Sequence, residues 1–176
     1  MPTAIALLRG INVGSTRSLP MELLRELCEG CGMRNPRTYI QSGNVVFEAA
    51  KKDMAKAAAA LEDAIERDRG FRPSVIVRTL DELAAAIEAN PFAARARDEP
   101  SKLLVMFLKS KATAGASAAL DGVKRGPEQL RLVGRELYID FPNGIGKSKL
   151  ALPAAEKALG VPATGRNWNT VLRGYP

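Results

Sequence analysis

The first apolar run, Thr3–Leu8 (TAIALL), has no polar break after Thr3, as expected of a strand buried on both faces. A loop, RGINVGSTRSL, follows. Met21, Leu24, Leu27 and Cys28 then recur at helical spacing after Pro20, which suits a helix's first turn, and Gly30 and Gly32 stop that helix. RTYIQ and NVVFEA read as two strands joined tightly at Ser42-Gly43-Asn44, a hairpin signal. Lys51–Arg69 is an amphipathic helix with Met54, Ala58, Leu61 and Ile65 on one face, ended by Gly70. Ser74–Arg78 (SVIVR) is a fourth strand. Thr79 and Glu82 form a capping box for a helix over Leu80–Ala89, and NPFAARARDEP reads as a loop.

The pattern then repeats. Lys102–Leu108 (KLLVMFL) is a buried strand, Ala112–Val123 an alanine-rich helix, and QLRLV with ELYID a hairpin. Apolar and polar residues alternate in both hairpin strands, which predicts one solvated face. Ser148–Leu159 reads as a helix, with Pro153 allowing a late beginning, then VPATGR as a short strand and NWNTVLR as a closing helical turn. Each half has the order strand-helix-strand-strand-helix-strand. The expected fold is therefore α+β, two ferredoxin-like (βαββαβ) halves with mainly antiparallel sheets. The expected organisation is a subdomain over 1–78, a linking helix and loop over 79–100, and a second subdomain over 101–176.

This topology gathers polar residues. In such a unit the first strand lies beside the third and runs the same way as the second, so the loop after the first strand and the hairpin between the second and third strands meet at one sheet edge. That edge collects Arg9, Asn12 and Ser15 from the loop, and Gln41, Ser42 and Asn44 from the hairpin. Gly10, Gly14 and Gly43 let a ligand approach the backbone closely. The same residue types also serve turns, and the two roles stay open.

Composition narrows the chemistry. No apolar run reaches the roughly 18 residues of a membrane helix, and the N-terminus lacks a basic region and a cleavage site, so a cytoplasmic protein without a membrane partner is expected. Histidine is absent, which removes Ser-His and Cys-His nucleophilic pairs and His-ligated metals. Cys28 and Cys31 have no second cysteine pair to complete a zinc site, and they continue a helix's apolar stripe, as buried structural thiols would. No metal or cofactor is expected. Residues 1–90 carry 12 Lys+Arg and 12 Asp+Glu, whereas residues 91–176 carry 14 and 7, so the net charge of +7 lies in the second half. An anionic partner for that half, a small molecule or nucleic acid, fits this asymmetry.

Two motifs resemble known ligand sites incompletely. GIGKSKL (Gly144–Leu150) lacks the first glycine of a P-loop, because Phe141 stands there. It leaves Lys147 and Lys149 opening a helix that would bind an anion without nucleotide hydrolysis. An RNA-recognition sheet would expose two or three aromatics on its first and third strands, and only Phe47 is aromatic there. Asp140 and Tyr138 share a strand next to Phe141-Pro142, but no paired carboxylates or nucleophile–base pair is legible.

ALLRGINVG (Ala6–Gly14), TYIQSGNVVF (Thr38–Phe47), NPF (Asn90–Phe92) and RNWNTV (Arg166–Val171) together resemble the DUF 1697 family, along essentially the whole chain. The resemblance implies a mostly bacterial α+β protein of two ferredoxin-like subdomains and implies no activity. Gly174 and Pro176 cut short the closing helix expected after RNWNTV. With that resemblance, Arg166, Asn167, Trp168 and Asn169 join the candidate site. They are expected near the Arg9–Ser15 loop and the Ser42–Asn44 turn, with Trp168 as a plug buried between the halves and Asn167 or Asn169 capping the last helix.

Three readings follow. One is a small binding module for an anionic, phosphate-bearing ligand or a nucleic acid backbone, at the first-strand loop edge. It would use Arg9, Asn12, Ser42, Asn44, Lys147 and Arg166. The second is an enzyme of unknown reaction at that edge, and the third is a structural protein whose motifs only dock the halves. The oligomeric state has no signal.

Overall fold

The computed structural model describes residues 2–12, 16–39 and 43–175. The chain separates into two compact units, Met1–Ala85 and Ala86–Gly174. It is a mixed α+β protein with two four-stranded antiparallel sheets.

The first unit contains β1 (Thr3–Leu8), α1 (Met21–Gly30), β2 (Arg34–Tyr39), β3 (Asn44–Glu48), α2 (Met54–Arg69) and β4 (Val75–Thr79). Its sheet runs β2-β3-β1-β4. Ala4, Ala6 and Leu8 of β1 pack with Phe47, with Leu24 and Cys28 of α1, and with Leu61 and Ile65 of α2. The alternate residues Ile5, Leu7, Ile76 and Arg78 are buried as well, so the central strand is apolar throughout, as its unbroken run predicts. β2 begins at Arg34, earlier than RTYIQ suggests, and Pro36 coincides with a register shift between Arg34 and Arg37. Gln41 and Ser42 lie outside the described residues, as do Gly14 and Ser15.

After α3 (Leu80–Glu88), the second unit continues with α4 (Ala93–Asp98), β5 (Leu103–Leu108), α5 (Ala116–Asp121), β6 (Gln129–Val133), β7 (Glu136–Asp140), α6 (Leu152–Leu159), β8 (Ala163–Asn167) and α7 (Trp168–Gly174). Its sheet runs β6-β7-β5-β8. The Thr79–Glu82 capping box forms as expected: the Glu82 N–H donates to Thr79 Oγ1 (3.1 Å) and the Thr79 N–H to Glu82 Oε1 (2.9 Å).

Four expectations are corrected here. The NPFAARARDEP segment contains α4 rather than loop alone. α5 starts only at Ala116, because Gly115 takes a left-handed φ of 83°. α6 starts at Leu152, with Pro153 in its first turn, so Lys147 and Lys149 do not open a helix. The β6–β7 hairpin is not solvated along one whole face: β6 alternates, but Tyr138 and Asp140 of β7 are buried.

Candidate functional site

The edge of the first sheet is built from backbone outward. The Leu8 N–H donates to the Gly43 carbonyl (2.9 Å) and the Arg9 N–H to the Ser74 carbonyl (3.0 Å), which ties the end of β1 to both neighbouring strands. Arg9 is exposed. Asn12, at a left-handed φ of 53°, closes the loop that follows. Its side-chain amide donates to the Leu19 carbonyl (2.9 Å), and its Oδ1 accepts from the Leu19 N–H (2.8 Å). Arg17 braces the loop, donating from Nε to the Gly10 carbonyl (2.5 Å) with its guanidinium 4.8 Å from the centre of the Phe71 ring.

Asn44 is fully buried and donates from Nδ2 to the Tyr39 carbonyl across the turn (3.2 Å). Arg9 therefore stands on a frame whose Asn12 and Asn44 side chains serve the protein's own backbone. Ser42, the remaining candidate of this edge, is outside the described residues.

The candidates of the second unit have individual roles. Arg166 of β8 is buried, and its Nη1 donates to Thr164 Oγ1 (2.6 Å) and to the Gly165 carbonyl (2.9 Å). Asn167 caps α7, its Oδ1 accepting from the Asn169 N–H (3.0 Å), while its Nδ2 donates to the Ser101 carbonyl (3.0 Å). Trp168 is buried at the start of α7, a helix that packs on β5 and β8. Asn169 is exposed. Lys147 is exposed on a single turn of 3-10 helix, Ile145–Lys147, five residues before α6 begins.

An open cleft of about 350 Å³ in the second unit was not foreseen; it is lined by Phe92, Ala94, Arg95, Asp98, Glu99 and Asp140. Arg95 Nε lies 2.6 Å from Asp140 Oδ1 and its Nη1 2.6 Å from Glu99 Oε1, while Lys102 Nζ reaches Glu99 Oε2 at 2.5 Å. The hydrogen bond from Lys102 holds the Glu99 carboxyl below its ordinary value. Glu99 and Asp140 both face Arg95, so this pairing fastens α4 to the end of β7. The sequence signal available was the acidic and basic residues of RARDE following NPF.

Cys28 is buried as a structural thiol would be, whereas Cys31 is only half-buried. The Cys28 thiol is pushed up to about 12, first by loss of solvation and then by the neighbouring Cys31. Among the described residues no cluster of His, Cys, Asp or Glu is arranged to hold a metal ion, and no helix is long and apolar enough to cross a membrane.

No curated protein matches the sequence. A solved structure of a conserved bacterial protein, SP0830 from Streptococcus pneumoniae, is similar in fold, with a TM-score of 0.71 at 22% identity, over 99% of this chain and 97% of that one. The family described as "Protein of unknown function (DUF1697)" matches residues 1–138. The RNWNTV segment lies beyond that stretch. The chain belongs to the DUF1697 family.

Proposed function

We propose that this DUF1697 protein is a binding module for a phosphate-bearing anion, a small molecule or a nucleic acid backbone, at the loop edge of the first sheet. The strand orders β2-β3-β1-β4 and β6-β7-β5-β8 support two ferredoxin-like halves. Loops carried on such a rigid sheet are the usual place for a binding site. The observation that carries the reading is Arg9: an exposed arginine whose backbone is held at the end of β1, beside a glycine turn, on a loop already closed by Asn12. Preorganisation of this kind lowers the entropic cost of gripping an anion, and an arginine fork suits a phosphate.

The test is a thermal-shift screen over nucleotides, phosphosugars and short oligonucleotides. A true ligand at about a hundredfold excess over its Kd raises stability by about 2.7 kcal/mol. Arg9→Ala removes that gain while leaving the unliganded transition within about 0.5 kcal/mol. No shift with any anion, or a full shift retained in Arg9→Ala, overturns the reading.

A second reading has its own support. Asn12, Asn44, Arg166 and Asn167 all donate to nearby carbonyls, which favours fastening as the role of these four residues. Trp168 and Asn169 go with them through α7. On this view Arg9 is the described candidate of the first-sheet edge that contacts ligand. Asn167→Ala then costs stability, about 1 kcal/mol for a lost cap, and leaves anion affinity unchanged.

A further inference from the structure

The edge of the second sheet repeats the first, bond for bond. The Leu108 N–H donates to the Arg135 carbonyl (2.9 Å) and the Lys109 N–H to the Pro162 carbonyl (2.8 Å), as Leu8 does to Gly43 and Arg9 to Ser74. In the second unit this rim is the more cationic. Lys109 takes the place of Arg9, Lys111 follows two residues on, and Arg135 stands in the hairpin turn. A cleft of about 310 Å³ opens there, lined by Lys111, Thr113, Ser117 and Gly134 together with the apolar Ala112 and Leu132.

We propose that this rim is an anion site in its own right, taking the phosphate group of a small phosphorylated molecule. Three features argue for it. The first is charge. Lys111 is exposed and forms no ion pair among the described residues. Glu136 is the carboxylate next to Arg135 in sequence. Most other carboxylates of this unit are engaged: Asp140 and Glu99 on Arg95, Asp98 on Arg97, Glu156 on the Ala163 N–H and Glu128 on the Gly126 N–H.

The second feature is a fixed wall. Thr113 donates from its hydroxyl to the Leu159 carbonyl (3.2 Å) and from its N–H to the same oxygen (3.1 Å). Behind it the packing is tight: a Cβ on Gly160 would stand 2.4 Å from Thr113 Oγ1. The third is the lining itself. Ser117 is exposed and supplies a hydroxyl, Gly134 at a φ of 59° leaves the opposite wall without a side chain, and Ala112 and Leu132 supply apolar surface for the body of the molecule. A continuous strand would need cationic groups along a track, whereas Lys111 is the one cation that lines this concavity.

The site stands without the first rim, and one experiment separates the two. Pyrophosphate, and separately a short oligothymidylate, are titrated into the full-length protein while the backbone amide resonances are followed by NMR. Pyrophosphate should move the amides of Lys111, Ser117 and Gly134 along one saturable curve. Lys111→Ala should weaken that curve about tenfold, the loss of one charge-assisted contact. Arg9→Ala should leave it unchanged, and the unaltered remainder of each spectrum reports that the variant is folded. Movement confined to Arg9 and Gly43 overturns this proposal and leaves the first-rim reading standing. Movement at neither rim below about 10 mM overturns both. An unchanged curve in Lys111→Ala, or saturation at this rim by the oligonucleotide alone, overturns the assignment to a small phosphate.

Discussion

Gly43 shows how one residue fixes the first rim. Its φ is 80°, a region that costs a residue with a Cβ roughly 1–2 kcal/mol. Space is a second constraint: an added Cβ would lie 3.0 Å from both Leu8 Cβ and Ile11 Cδ1. Gly134, in the corresponding turn of the second unit, has a φ of 59° with nothing within 4 Å. Gly134→Ala should therefore cost only the backbone term. Gly43→Ala should cost about 2–4 kcal/mol, because crowding adds to it. Denaturant unfolding of the pair checks this, and equal losses would remove the packing argument. Cys28 gives a second prediction. Its thiol, held up at about 12, stays protonated in the fold while an unfolded thiol ionises at 9.0. A folded value raised above the unfolded one contributes stability that is complete below pH 9 and lost progressively as pH rises toward 12. At pH 8.5 iodoacetamide should label the half-buried Cys31 first and Cys28 only in urea. Equal labelling in the native protein, read by mass spectrometry, would refute a buried structural thiol. The burial of Cys28 was legible from helical spacing, but the commitment of Asn12 to Leu19 was not. An asparagine in a glycine-bearing loop reads alike whether it grips a ligand or its own backbone.

At the scale of elements, what could be read depended on what buries each one. β1 and β5 are buried on both faces, so unbroken apolar runs announced them. α2 carries an apolar stripe, and its range was close to Lys51–Arg69. α4 escaped notice because hydrophobic periodicity does not hold it. Arg95 joins Glu99 one turn on and Asp140 at the end of β7, so an ion-pair chain does the fastening. The same chain explains why β7 broke its expected alternation. Asp140 is buried against Arg95, and Tyr138 is buried because its hydroxyl donates to the Ala86 carbonyl (2.6 Å). Polar residues met partners from distant sequence, which a two-residue period cannot register. Arg95→Ala should destabilise the protein by about 1–2 kcal/mol, since it leaves a largely buried carboxylate without its cation. Arg95→Ala with Asp140→Asn should recover part of that loss in a double-mutant cycle. Additive effects would mean that Asp140 is held by something else. The chain also weakens in acid. Glu99 is held below its ordinary value of 4.5, so its contribution is present above that pH and lost as pH falls through the lowered value.

Over the whole molecule the question is whether attraction or repulsion governs the basic half. Residues 91–176 hold 14 Lys+Arg against 7 Asp+Glu. The ion pairs of Glu99 with Lys102 and of Arg97 with Asp98 involve exposed groups, and such pairs contribute little in water. The uncompensated cations repel one another at separations that a Debye length of about 30 Å at 0.01 M salt leaves unscreened and one of about 8 Å at 0.15 M largely removes. Expansion on unfolding relieves the same repulsion, so low salt favours the unfolded chain. Added sodium chloride should therefore raise the urea midpoint of this half, which Trp168, the chain's single tryptophan, reports by fluorescence. A falling midpoint would mean that the Arg95–Glu99–Lys102 chain outweighs the repulsion. Ionic strength acts on every exposed charge alike, whereas a bound anion acts through occupancy of a site. Pyrophosphate at matched ionic strength should then raise the midpoint beyond sodium chloride, and Lys111→Ala should reduce that excess while keeping the general salt response. Matched midpoints for the two salts would leave the basic half as a solubilising surface and nothing more.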